Sequence, residues 1–565
     1  MSQSTDAALT YHEPDIITIL VQSSFLLLLN IINHVFDKLI YCGLIGEILI
    51  GVAWGIPGTR WLSSTAEEVI VQLGYLGLIL LVYEGGLSTD FISLKANAIL
   101  STAVAITGIS LPIAFSFSLR ALTGATTLQS FAAGAALCST SLGTTFTILG
   151  TTGLTKTRLG TVLSSAAMMD DVVGLIMVQV ISNLGQSASA LKAVTIIKPI
   201  MVSFALVIVL VLVCRFILMP LHTRIPDRIL NMVFKQTYSA FFVHTSILFG
   251  LVSGATFAGT SGLFAAYLAG ASISWWDLLV SSKRDSSTSD QPGVTIDEGA
   301  DDRESSHSSS SIPPTQQQTA IQRNSTGIST YETYYSVVVS KILKPFFFVS
   351  IGFAIPVTKM FTKNIIWRSV IYAILMHLGK LMTALWLIRF SVSLPSAQKF
   401  LNIVTRFPKW CCWLPKKWQA PLSPSKQEPQ QDVNAGELHP RKVSSSPEHS
   451  QSTISHVQPT PQQIRRPIIG KPRSLYPASI LGSAMVSRGE IGFLIASLAE
   501  TTGIFSSDPL SSGNSKTYLV VIWAIVLCTI TGPITVGTLV KRVNRLQRER
   551  QNNGGVDPLG SWGVI

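Results

Sequence analysis

Long apolar runs separated by short polar connections organise this chain. With about 20 apolar residues taken as enough for one membrane-crossing helix, thirteen runs can be placed, at 16–34, 39–56, 68–87, 96–119, 127–150, 158–183, 193–219, 236–253, 259–279, 335–357, 365–391, 476–500 and 517–540. Two of them carry patches that lower helix propensity and supply oxygen atoms, Gly134-Ala-Ala-Leu-Cys-Ser-Thr-Ser-Leu-Gly143 and Gly482-Ser-Ala-Met-Val-Ser-Arg-Gly-Glu-Ile-Gly492. These runs stand seven apart, so they cross in opposite directions. That pattern predicts an inverted repeat, runs 4 to 6 matching 11 to 13, whose discontinuous helices meet at the bilayer midplane. The expected fold is an all-α polytopic membrane protein of about 13 transmembrane helices with two crossing broken helices.

Lys and Arg set the orientation. Connections after odd-numbered runs hold Lys95, Arg158, Lys235 and the tail residues Lys541 to Arg550, whereas those after even-numbered runs hold few cations. The bias places the N-terminus outside or lumenal and the C-terminus in the cytoplasm, in a plasma membrane or endomembrane. Seven segments follow: a polar tail (1–15), a first transmembrane half (16–280), a Ser-rich insertion (281–334), runs 10 and 11 (335–393), a Pro/Gln/Ser-rich insertion (394–475), runs 12 and 13 (476–540) and a basic tail (541–565). Both insertions are too poor in apolar residues to bury a core, so disordered cytoplasmic loops are expected. The sequon at Asn324 then meets no glycosylation machinery, and Trp410-Cys-Cys-Trp413 reads as an aromatic, basic loop segment, with an interfacial palmitoylated anchor as the alternative.

Composition agrees with a membrane protein: mean hydropathy is +0.43 and charged residues are only 13% of 565, against about 25% in soluble chains. The net charge of +12 is spread over connections and tail, as topology dictates, so nucleic acid is not an expected partner. The six cysteines lack zinc or disulfide-framework spacing. The polar start, Met1 to Pro14, lacks a basic n-region, so the first run is expected to remain as a span.

The chemistry centres on Asp170 and Asp171, in the middle of run 6. An acid at the centre of a membrane helix costs about 2.5–3.5 kcal/mol on insertion scales, so such residues face a water-filled path or a partner. Adjacent helical positions diverge by about 100°, which gives the two carboxylates different surroundings and different jobs. Lys380, in the middle of run 11, needs an acidic partner, and under the repeat the nearest acid is one of the pair. Arg488 and Glu490 flank the break in run 12, either as a local ion pair satisfying exposed backbone or in direct ion contact. Glu47 and Glu84 read as near-interface acids, His244 as a hydrogen-bonded core imidazole, and Lys344 as a snorkelling cation.

Taken in order, Thr140-Ser-Leu-Gly143, Met169-Asp-Asp-Val-Val-Gly174, Gly262-Leu-Phe-Ala-Ala-Tyr-Leu-Ala-Gly270, Phe347-Phe-Val-Ser-Ile-Gly352, Gly379-Lys380 and Arg488-Gly-Glu490 resemble the monovalent cation:proton antiporter-2 family of sodium/hydrogen exchangers, over essentially all thirteen runs. The resemblance implies that Asp171 binds the cation and carries the proton, that Asp170 pairs with Lys380 as in electrogenic members, and that Thr140 and Ser141 lie where the broken helices cross. The long insertions depart from the pattern, and no G-x-G-x-x-G follows run 13, so nucleotide gating in cis is not expected.

The expected function is secondary antiport of Na+, or of K+ or Li+, against H+ by alternating access, with Asp171 holding proton or monovalent cation in turn. Expected partners are these ions, the lipid bilayer and a second copy of the chain in a homodimer; no cofactor and no enzymatic activity are expected. Three rivals remain: a cation channel or uniporter, against which the lack of a Thr-Val-Gly-Tyr-Gly filter argues; a non-transporting sensor acting through the loops; and an intramembrane hydrolase, which needs its acids on facing helices.

Overall fold

A computed structural model describes residues 13–40, 42–141, 154, 157–186, 193–224, 237–288, 326–388, 474–506, 515–553 and 558–563. They form fourteen principal helices: α1 (Ile16–Ile40), α2 (Gly43–Trp54), α3 (Ser64–Leu87), α4 (Phe91–Ser116), α5 (Thr127–Cys138), α6 (Arg158–Gln186), α7 (Ala193–Val213), α8 (Thr237–Ala258), α9 (Gly262–Thr288), α10 (Lys344–Phe353), α11 (Lys363–Leu381), α12 (Tyr476–Val486), α13 (Glu490–Thr501) and α14 (Lys516–Asn553). No strand occurs among the described residues.

Among the described residues, eleven spans are long and apolar enough to cross a membrane; two of the thirteen predicted runs are represented by shorter helices. The protein is an integral multi-pass membrane protein. The exceptions are α2 and α5, each 12 residues and so only about 18 Å long against a hydrocarbon core of about 30 Å. For α2 the reason lies in α1, which continues to Ile40 instead of ending at 34; Asp37 Oδ1 then accepts from Gly43 N at 2.6 Å and starts α2 late. In α5 the helix stops at Cys138, Ser139 is extended, and the rest of the predicted run after Ser141 lies outside the described residues.

The first polar insertion is shorter than predicted at both of its ends. Helix α9 runs to Thr288, and Gly327–Tyr334 is helical, with Thr326 as its N-cap and Gly327 N donating to Asp277 Oδ2 at 2.6 Å. Asn324 and Trp410–Trp413 lie outside the described residues. Helix α14 also outlasts its predicted end at 540, reaching Asn553.

The helices pack as two sets. In one, α10 lies against α2 and α3, α3 against α9, and α9 against α8; in the other, α4 packs on α5, α6 and α11, α13 on α5 and α6, and α14 on α11 and α12. Ala132, Ala133, Ala135 and Ala136 on α5 are fully inaccessible, whereas Ile197, Met201, Phe204 and Ile208 on α7, which packs on α6, are exposed, as befits side chains facing lipid.

Candidate ion site

The second set of helices is organised around two interrupted segments. Helix α5 is started by a capping box, Thr126 Oγ1 accepting from Gln129 N and Gln129 Oε1 accepting from Thr126 N; it ends where Cys138 gives way to Ser139, Thr140 and Ser141. Helices α12 and α13 are separated by Ser487, Arg488 and Gly489. The two interruptions touch. Ser141 N donates to Ser487 O at 3.0 Å, as neighbouring strands would pair, and Arg488 Nη1 donates to Ser139 O at 2.8 Å. A residue with a side chain would not fit: a Cβ on Gly489 would sit 2.7 Å from Ser141 Cβ and Oγ. The φ of Gly489, −143°, suits any residue, so the glycine serves close approach and not an unusual backbone.

Helix α6 crosses this junction at its midpoint. A Cβ on Gly174 would meet Ile491 Cγ2 at 3.0 Å and Ser139 Cβ at 3.1 Å, so the absence of a side chain there lets α6 lie on both interruptions. Asp170 is completely buried and its Oδ2 is doubly occupied: Lys380 Nζ stands 2.5 Å away and Thr140 Oγ1 donates at 2.7 Å. Lys380 Nζ also donates to Thr140 Oγ1 at 2.9 Å, closing a triangle of three side chains from α6, α11 and the end of α5. Two hydrogen bonds and a counter-ion are the conditions under which a buried charge is tolerated.

Asp171 is different. It is 5% exposed and has no ion-pair partner among the described residues; its Oδ1, like Asp170 Oδ1, has no hydrogen-bond partner among them. Within Coulombic reach of its carboxyl group are Glu490 and Asp170, both acids, and Lys380; the Tyr267 hydroxyl on α9 is also within reach and is bridged to Thr89 Oγ1 at 3.1 Å. Three buried carboxyl groups, Asp170, Asp171 and Glu490, face two buried cations, Lys380 and Arg488. Fully ionised, the cluster therefore carries one uncompensated negative charge, and of the two adjacent acids Asp171 is the one without an ion pair among the described residues. One proton or one monovalent cation restores neutrality.

The structure thus brings Asp170, Lys380, Thr140 and Asp171 to the point where Ser141, Arg488 and Glu490 also meet. Of the two alternatives posed for Arg488, the backbone role is the one its contact matches: it donates to the buried carbonyl of Ser139 at the other interruption, with no ion pair to Glu490 among the described residues. Glu490 begins α13 and lies near Asp171. Ser139 escaped the sequence reading because its contribution is a backbone carbonyl; its place in the small-residue patch was the available signal. Glu47, expected near the interface, is fully buried in the protein, accepting from Asn33 Nδ2 at 2.6 Å; an Asn one helical turn from another polar residue in an apolar run was the hint. Glu84 is half-buried near the end of α3 and accepts from Tyr331 Oη at 3.1 Å. His244 is buried on α8.

A family model for the transmembrane part of sodium/hydrogen exchangers matches residues 24–291. Among curated proteins, the chain is 32% identical over 133 residues to the Na(+)/H(+)-K(+) antiporter GerN of Bacillus cereus, covering 24% of this chain and 34% of the relative. It is 27% identical over 226 residues to the probable Na(+)/H(+) antiporter GerT of the same organism, covering 40% and 58%. The chain thus spans between a third and three fifths of the length of these relatives. The sodium proton antiporter MjNhaP1 of Methanocaldococcus jannaschii, solved at pH 8, superposes with a TM-score of 0.52 at 12% identity, covering 93% of this chain and 98% of that one, and so has the same fold.

Proposed function

We propose, from the premise that this chain belongs to a monovalent cation:proton antiporter family, that it is a transporter and not an enzyme, exchanging Na+ or another monovalent cation for H+ at Asp171. The supporting observation is the unequal state of the two adjacent acids: Asp170 is committed through Oδ2 to Lys380 and Thr140, while Asp171, also buried, has no ion-pair partner among the described residues. Burial in a low-dielectric core disfavours a bare carboxylate. Asp171 is neutralised by a proton or by a cation, each occupant excluding the other, and that exclusion is what couples the two fluxes. Hard-cation coordination would be completed by oxygens at the interrupted segments, Ser141 and the backbone of 139–141 and 487–489 being closest to hand.

The two-set packing supports alternating access as the way the exchange is carried out. Asp171 sits on α6 in one set, and Tyr267, within its reach, sits on α9 in the other. Small displacement of one set against the other would expose the carboxyl group to one side of the membrane and then the other. The charge bias gives a cytoplasmic C-terminus, and homodimerisation is part of this reading. Lys380 adds electrogenicity: when Asp170 engages the cation, Lys380 releases its proton.

The test is an outward or inward cation gradient imposed on vesicles containing the purified protein, with internal pH recorded for Na+, K+ and Li+ in turn. Cation-driven proton movement supports antiport. Cation current with no proton countermovement identifies the channel or uniporter instead, and neither flux leaves the sensor.

A further inference from the structure

Away from the ion site, the end of the bundle at which α4 and α6 begin holds a cavity of about 300 Å³, lined by Lys95, Asn97, Leu100, Ala103, Arg158 and Trp386 among others. We propose that this cavity binds the headgroup of an anionic phospholipid.

The lining divides into two chemistries. Lys95 and Arg158 are cationic and no lining residue is acidic; neither has a carboxylate partner among the described residues. The Arg158 guanidinium lies over the Trp562 ring, 5.0 Å from its centroid. Stacking occupies the face of a guanidinium and leaves its in-plane N–H donors for a phosphate. Much of the remaining lining is apolar, with Ile99 and Trp386 both exposed, and Trp386 is held in place by Nε1 donating to Thr107 Oγ1 at 2.8 Å. Cations and exposed apolar groups in one lining fit a molecule that is itself anionic at one end and apolar at the other.

Depth agrees. Arg158 and Trp386 are terminal residues of their membrane spans, and at that level a bilayer presents headgroups. The chain folds back here as well: after α14, Leu559 and Trp562 are buried, 1% and 7% exposed, against Leu159, Val162 and Leu163 of α6. The cavity touches α4, α6 and the turn Met382–Trp386 that continues α11. Helix α6 carries Asp170 and the α11 segment carries Lys380, so a bound headgroup ties together the ends of the two elements joined by the buried ion pair.

The experiment reads thermal stability of the purified full chain in neutral detergent, titrated with phosphatidylglycerol, phosphatidylcholine or inorganic phosphate, and needs no transport activity. Phosphatidylglycerol is expected to raise the unfolding midpoint saturably while phosphatidylcholine and phosphate do not. Juxtamembrane cations typically contribute about fivefold each to anionic-lipid affinity, so Lys95→Gln with Arg158→Gln should require about 30-fold more lipid for the same shift. A control with the same charge change in the tail, Arg548→Gln with Arg550→Gln, should respond as the wild type does. If the double variant does not fold, Lys95→Gln alone should show the fivefold loss. The proposal is overturned by an undiminished response in the cavity variants, by an equal loss in the tail control, or by a shift with inorganic phosphate that matches the lipid.

Discussion

Lys380 Nζ and Asp170 Oδ2 stand 2.5 Å apart with both side chains wholly inaccessible to solvent. Removing one partner strands the other in a low-dielectric core, which typically costs about 3–5 kcal/mol, whereas removing both can be nearly neutral. Asp170→Asn and Lys380→Ala should each lower the unfolding temperature, and the double variant should lose markedly less than the sum. Thr140→Val, which deletes the third corner, should cost less, about 1–3 kcal/mol. Thermal unfolding of the four variants checks this; additive losses would mean that the pair is not coupled. The double variant should also exchange with reduced sensitivity to membrane potential.

Arg488 tests the junction. Its Nη1 supplies the hydrogen bond to Ser139 O, so Arg488→Leu leaves that carbonyl buried and unpaired, at about 1.5–3 kcal/mol for a bond to a charged group. It also removes one of the two cations of the cluster, leaving a second excess negative charge. Arg488→Lys keeps the charge and one donor and should recover part of the stability. Equal losses for Leu and Lys, measured by thermal unfolding, would show that neither charge nor hydrogen bonding matters there.

Gly489 offers a suppressor test. Because a Cβ would lie 2.7 Å from Ser141 Cβ and Oγ, Gly489→Ala should push the two interruptions apart. A misplacement of about 1 Å at a preorganised site costs on the order of 100-fold in rate. Ser141→Gly removes the clashing atoms, so the combination should transport better than Gly489→Ala alone in the vesicle assay. No recovery would mean that the glycine is needed for another reason.

The polar insertion between α9 and Gly327 gives a prediction of the opposite kind. Residues 290–324 contain too few apolar side chains to contribute a core, so deleting them should leave folded protein and measurable transport. Asp277→Ala, by contrast, orphans Gly327 N and should lower stability by about 1–3 kcal/mol. Loss of folded protein on deletion would assign the insertion to the packed structure.

The site was legible where it depends on local sequence. Adjacent acids in an apolar run, a lysine in the middle of another, and small hydroxyl-rich patches are all composed of contiguous residues, and their physical cost in a membrane marks them. What could not be read was contact across the chain. Arg488 meets the carbonyl of Ser139, 349 positions away, and no spacing rule connects a guanidinium to one backbone oxygen among many. Glu47 looked like an interfacial acid because apolar and glycine neighbours suit that setting equally well; its burial depends on Asn33 of α1. Run length misled at α2, since hydropathy continues through a cap such as Asp37 with Gly43.

The central claim is that Asp171 alternates between proton and cation. Asp171→Asn keeps the side-chain volume but supplies an amide that cannot cycle a proton, and it removes the one uncompensated charge of the cluster, so folding should be preserved or improved. In vesicles carrying matched amounts of folded protein, the cation-driven change of internal pH should be abolished in Asp171→Asn while its unfolding temperature equals or exceeds that of the wild type. Cation-dependent proton movement by Asp171→Asn at a rate near the wild type would contradict the assignment of Asp171 as carrier.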